Sequence, residues 1–107
     1  MKNTKRKNYD YALSVSSDLM VVTLDGKWGF SDSLGNEIVP VIYENICSFV
    51  EGYVAVKRDG KWGFVDKTGN EVIKAKYDNV GSFCGGVAKI TLNGKLGEID
   101  ARGNEQF

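Results

Sequence analysis

Asp32, Asp66 and Asp100 stand 34 residues apart, and Cys47 and Cys84 are the two thiols of the chain. Carboxylates at a fixed repeat could converge as an acid–base cluster or a calcium site, and thiols could pair or supply a nucleophile. The chain has no histidine. That removes the commonest base for a thiol, and two cysteines cannot complete a four-ligand zinc site. Each Asp precedes a Gly by three residues, at Gly35, Gly69 and Gly103. In that spacing the carboxylate caps its own turn while the Gly takes the left-handed position. The cysteines fall at different places in the repeat, Cys47 aligning with Gly81 and Cys84 with Val50, so they make no disulfide framework and read as small buried hydrophobes. We expect no catalytic residue, metal site or cofactor, and no enzyme. A carboxylate-based enzyme is a poor reading because no carboxylate pair lies outside the turns.

The scaffold for these residues must fit into 107 residues with 14 Lys plus Arg against 14 Asp plus Glu, the length of one domain with its own core. Lys2, Lys5, Arg6 and Lys7 place +4 in residues 1–8, leaving 10 minus 14, or −4, on the body. We read residues 1–8 as a basic flexible tail with at most weak attraction for nucleic acid, and the rest offers no nucleic-acid face. The stretch from Tyr11 to Leu24 is interrupted by Ser14, Ser16, Ser17 and Asp18, which argues against a secretory leader and for a cytoplasmic protein. No apolar run is long enough to span a bilayer.

Gly26-Lys27-Trp28-Gly29-Phe30-Ser31-Asp32 returns as Gly60-Lys61-Trp62-Gly63-Phe64-Val65-Asp66, and again as Gly94-Lys95-Leu96-Gly97-Glu98-Ile99-Asp100. Tyr9, Tyr43 and Tyr77 keep the same register, as do Gly35, Gly69 and Gly103. The units run 9–42, 43–76 and 77–107 of a single domain 9–107. Within a unit, Tyr53 to Lys57 is β-branched and aromatic, Asp59-Gly60 turns, Trp62 to Val65 alternates, and Gly69-Asn70 turns again before Val72-Ile73. The fold class is therefore all-β: three tandem three-stranded antiparallel meanders forming a rolled sheet or small barrel, with Thr4 to Asn8 placed to complete the last unit.

Register decides which side chains share a face. A two-residue loop at Asp59-Gly60 sets Lys57 opposite Trp62 and divides the apolar residues between two faces. A three-residue loop of Arg58, Asp59 and Gly60 sets Val56 opposite Trp62 and Val54 opposite Phe64, gathering them on one face. A sheet with one wet face requires the second, so Trp62 is expected in the core with Val54, Val56 and Phe64. Tyr43, Ile46 and Phe49 recur as Tyr77, Val80 and Phe83, a spacing that suits one tight helical turn plugging the core.

Gly-Lys-Trp-Gly-Phe-x-Asp, followed by Gly-Asn-Glu and then Tyr-Glu or Tyr-Asp, resembles the WG repeat family, also called KWG repeats, over residues 9–107. The resemblance implies tandem β-rich units of bacterial proteins and carries no catalytic residues. The third copy departs, with Leu96 for Trp and Glu98 for Phe, as a capping end does.

Repeat stacks display repeated side chains, and such surfaces bind proteins. The expected function is a non-enzymatic protein-binding module, in its narrowest form a small stoichiometric inhibitor of a host defence protein. The alternative is a cell-envelope or glycan-associated module using exposed Tyr and Trp. The expected partner surface is a row of hairpin-tip lysines, Lys27, Lys61 and Lys95, with Lys57 and Tyr53 beside Lys61 on an outward face. Equally, these lysines protect the sheet edges from pairing with other chains.

Overall fold

A computed structural model describes residues 9–107, so the tail at 1–8, with the completing stretch Thr4 to Asn8, lies outside the described residues. Twelve strands among those residues form three antiparallel sheets. The first runs β1 (Tyr11–Ser16), β2 (Leu19–Leu24), β3 (Lys27–Ser31), β4 (Glu37–Tyr43). The second runs β5 (Asn45–Ile46), β6 (Tyr53–Arg58), β7 (Lys61–Asp66), β8 (Glu71–Tyr77), and the third β9 (Asn79–Val80), β10 (Val87–Leu92), β11 (Lys95–Asp100), β12 (Glu105–Gln106). The expected three-stranded meanders are thus four-stranded. Asn45–Ile46 and Asn79–Val80, read from the sequence as part of a helical turn, extend instead and join the edge of the sheet. No barrel closes. The chain crosses from β4 to β5 through Glu44 alone, and from β8 to β9 through Asp78 alone, so a continuing strand changes sheets at each bend.

The hairpins explain how the sheets stack. Asp59 and Gly60 both have positive φ, 53° and 79°, the conformation of a two-residue type I′ turn. Asp25-Gly26 and Asn93-Gly94 repeat it. Lys57 therefore faces Trp62, Ala55 faces Phe64, and Val54 faces Val65. This corrects the three-residue loop, and Trp62 does not share a face with Val54 and Val56. The argument for the longer loop assumed one wet face, and the central sheet has none. On one side Val54, Val56 and Val65 pack against Phe30, Val39 and Tyr43 of the first sheet. On the other, Ala55, Phe64, Ile73 and Tyr77 pack against Ala88, Ile90 and Ile99 of the third, with Phe83 between. Each Phe-and-Tyr face thus covers the Val-type face of the next sheet, in an open stack whose extents are 53 × 26 × 18 Å. Trp62 is half-buried at the margin of this core, while Phe64 beside it is fully buried.

The glycine after each Trp has a steric cause. Trp62 pairs with Tyr77 but Phe64 with Ile73, so β8 gains two residues and bulges across Gly63. A Cβ on Gly63 would run into the Ile73 carbonyl oxygen and approach the Ala75 nitrogen at 2.7 Å. Gly29 lies in the same way beneath Val39 and Pro40. Pro40 is tolerated because β4 is an edge strand and bulged there.

The acidic turns form as expected. The Leu34 and Asn36 N–H groups donate to Asp32 Oδ1 at 2.9 and 2.8 Å. Asp66 accepts from Thr68 and Asn70, and Asp100 from Arg102 and Asn104. All three carboxyls are held below their ordinary range, chiefly by the Asn36 side-chain amide at Asp32, the Thr68 hydroxyl at Asp66 and the Asn104 N–H at Asp100, with the other turn donors adding to them. The Tyr77 hydroxyl joins the second sheet to the third by donating to Glu105, and Tyr9, just before β1, donates to Glu37 at 3.0 Å across the same 28-residue spacing. The Tyr43 phenol is pushed up first by burial and then by the charge of Glu71.

Two predictions follow from these contacts. Gly63→Ala meets fixed backbone and should destabilise the domain by about 3 kcal/mol. Gly60→Ala, which meets nothing within 4 Å, should cost only the left-handed penalty of about 1 kcal/mol; urea unfolding of both variants checks the order. Glu105 is held below its ordinary value of 4.5, chiefly by the Tyr77 hydroxyl. Its contribution is therefore complete above that value and is lost as the pH falls through the lowered folded-state pKa. Tyr77→Phe should reduce the drop in melting temperature between neutral and acidic buffer.

Candidate functional site

The first sheet differs from the second along its leading edge. In the second sheet, β5 is two residues long, after which the chain turns inward and sets Phe49 against Phe30, ring centroids 5.0 Å apart. In the third, β9 is equally short and Phe83 packs on Phe64 at 4.7 Å. In the first, β1 continues for six residues and all of them are exposed. Tyr11, Leu13 and Val15 alternate along it, each about half exposed. Because Leu13 pairs with Val21, and Val21 with Phe30, this row lies on the face that the second sheet covers only in part.

The uncovered part is a groove of about 560 Å³. Leu19, Val21, Trp28 and Phe30 line it, with Val15 on the β1 side and the Ile46 to Phe49 connection opposite. Asp18 and Lys67 bring one charge of each sign to it. Cys47 also lies here, exposed and unpaired, its thiol pushed up by partial desolvation. Cys84 is exposed and unpaired as well, so neither is the buried hydrophobe that the sequence suggested; Cys47 sits on the connection from β5 to β6 and Cys84 on the matching connection from β9 to β10.

The far end of the stack is different. The outer face of the third sheet carries Leu96, 78% exposed, and a Lys89–Glu98 pair at 2.8 Å where the second sheet has Ala55 and Phe64. A solvated ion pair suits a face that no further sheet covers. Among the described residues, no group of three or more His, Cys, Asp or Glu side chains is arranged to hold a metal. No helix there is long and apolar enough to cross a membrane.

The central hairpin does not gather Tyr53, Lys57 and Lys61 on one face. In the two-residue register Tyr53 and Lys57 share a face with Trp62, whereas Lys61 lies on the other face opposite Arg58, which corrects the shared outward face. The Lys57 ammonium sits 6.0 Å from the Trp62 ring centroid, within cation–π range. Lys61 pairs with Asp78 at 2.6 Å. Tyr53 is half-buried against Phe83, centroids 4.8 Å apart. Lys27 and Lys95 are exposed beside their hairpin turns. The groove is absent from the sequence reading. Its one sequence sign is the substitution of Leu19 for the aromatic that the next unit carries as Tyr53.

A family model described as a WG containing repeat matches residues 28–62 and again residues 62–95, and the chain belongs to that family. Each match begins in the second strand of one hairpin and reaches the next hairpin, so the family unit includes the bulge, the sheet crossing and the Phe plug. No curated protein and no solved structure matches the chain.

The Lys61–Asp78 pair is exposed, and exposed pairs contribute little. Lys61→Glu, which sets two carboxylates together, should lower the melting temperature slightly, with the loss fading as salt is added. Lys95→Glu, at a lysine exposed beside its turn, should leave it unchanged.

Proposed function

We propose that this WG-repeat chain is a non-enzymatic protein-binding module that engages its partner through the first sheet. The supporting observation is the continuous apolar surface formed by Tyr11, Leu13 and Val15 with the groove behind them. Exposed apolar surface gathered in one place, beside a concavity, is the usual mark of an interaction site. The strand itself adds to this, because β1 is uncharged and is the outermost described strand of the first sheet, and an extended segment can pair at such an edge. Lys27 and Lys95, exposed beside their turns, supply positive charge that speeds encounter with an acidic partner. An inhibitor that occludes a host defence protein is the narrowest form of this reading.

Affinity capture with the whole chain tests it. Wild-type protein should retain a specific protein, and Leu13→Asp, a change at a half-exposed position that leaves the core intact, should lose it. Retention of a glycan, or capture indifferent to Leu13→Asp, would contradict the reading.

A further inference from the structure

We infer that the groove between the first and second sheets is a receptor for a single aromatic side chain, Tyr or Phe, carried by an extended segment of the partner. The inference rests on the reading of the first sheet as the binding surface and adds what occupies it. The argument comes from the chain's own interfaces. The contact between the first and second sheets repeats between the second and third, with Phe49 answered by Phe83, Phe30 by Phe64, Trp28 by Trp62 and Ile46 by Val80. At the second contact Tyr53 lies over Phe83 with centroids 4.8 Å apart. At the first contact the matching residue is Leu19, and the groove is there. A Leu in place of a Tyr leaves the Phe49 ring, half-exposed, without the aromatic neighbour that Phe83 has. The missing piece is thus one aromatic ring, packed at a tilt on Phe49.

The direction of approach follows from β1. Where the second sheet ends its first strand after two residues, β1 runs on beside the groove as the outermost described strand of its sheet. A partner strand added to that edge alternates its side chains as β1 does, so every second residue lies on the groove side. Tyr11, Leu13 and Val15 carry no charge, and an apolar neighbour on such a residue meets no desolvation penalty.

The test uses purified chain and p-cresol, the side chain of tyrosine. In NMR titration p-cresol should shift the Leu19 and Val21 methyls and the Phe49 ring saturably. 4-Methylcyclohexanol, of similar size but without the ring, should bind up to about tenfold more weakly, the value of an aromatic pair contact. Leu19→Tyr, which installs the residue already accepted at the matching position, should abolish the p-cresol shifts without lowering the melting temperature. Val15→Asp, at a half-exposed wall, should abolish them by another route, and Leu96→Tyr, on the far end of the stack, should leave them intact. The inference is overturned if p-cresol leaves these resonances unmoved, if the saturated ring binds as well, or if binding survives both Leu19→Tyr and Val15→Asp. Self-association through this surface, seen as shifts that grow with protein concentration and vanish in Leu19→Tyr, would assign the ring to a second copy and overturn the partner assignment. Saturable p-cresol binding with no protein captured would sustain the receptor and refute only the functional reading.

Discussion

Two left-handed residues at the tip of the hairpin between β6 and β7, repeated between β2 and β3 and between β10 and β11, set the terms for the rest of the structure. With Asp59 and Gly60 both at positive φ, the loop closes in two residues and the strands pair so that Val54, Val56 and Val65 point one way and Ala55 and Phe64 the other. Neither set can be left in water. Burying a Val or Phe side chain is worth about 1.5 to 3 kcal/mol, so a sheet with both faces apolar requires a neighbour on each side. The stack follows: Phe30, Val39 and Tyr43 cover one face of the central sheet, and Ala88, Ile90 and Ile99 the other. A slip of one residue at the turn would carry one strand's side chains to the opposite face and break both contacts at once.

The Trp-Gly pair serves this packing. Trp62 stands half-buried at the margin under the Lys57 ammonium, and Gly63 lets the bulged β8 cross close above it. The bulge lets Ile73 pair with Phe64 and Tyr77 with Trp62, though four residues of β8 then answer two of β7, so both Ile73 and Tyr77 reach the same core. Tyr77 in turn extends to Glu105 in the next sheet. Packing within one sheet and attachment to the next are therefore coupled through a single glycine. At the end of the chain Glu98 and Lys89 replace the Phe and Ala of that core, and the coupling stops at a solvated face.

The repeat, the strand class, the Asp-capped turns and the charged end were all legible in the sequence, because each rests on local chemistry: Asp three residues before Gly, β-branched runs, Glu98 in the place of Phe64. Register was misread although Asp59-Gly60 is itself the strong signal for a two-residue hairpin. The pull of a one-sided sheet outweighed it, and only the presence of two neighbours removes that pull. Phe49 and Phe83 were recognised as plugs, but extended backbone, not a helical turn, delivers them. The outward face shared by Tyr53, Lys57 and Lys61 was inferred from the longer loop, and in the two-residue register alternation of faces separates Lys61 from the other two. The groove lies where Leu19 stands in the place that Tyr53 holds in the next sheet, a difference whose meaning needs the matching interface beside it.

The dependence of stacking on register can be measured directly. In the two-residue hairpin Lys57 faces Trp62 and Ala55 faces Phe64, both at positions of the ladder not joined by hydrogen bonds, where opposing α carbons lie about 4.5 Å apart. Nuclear Overhauser effects should therefore link the α protons of Lys57 with Trp62 and of Ala55 with Phe64. Cross-peaks linking Val56 with Trp62 and Val54 with Phe64 instead would place all the apolar residues on one face, and the account of a central sheet buried on both sides would be wrong.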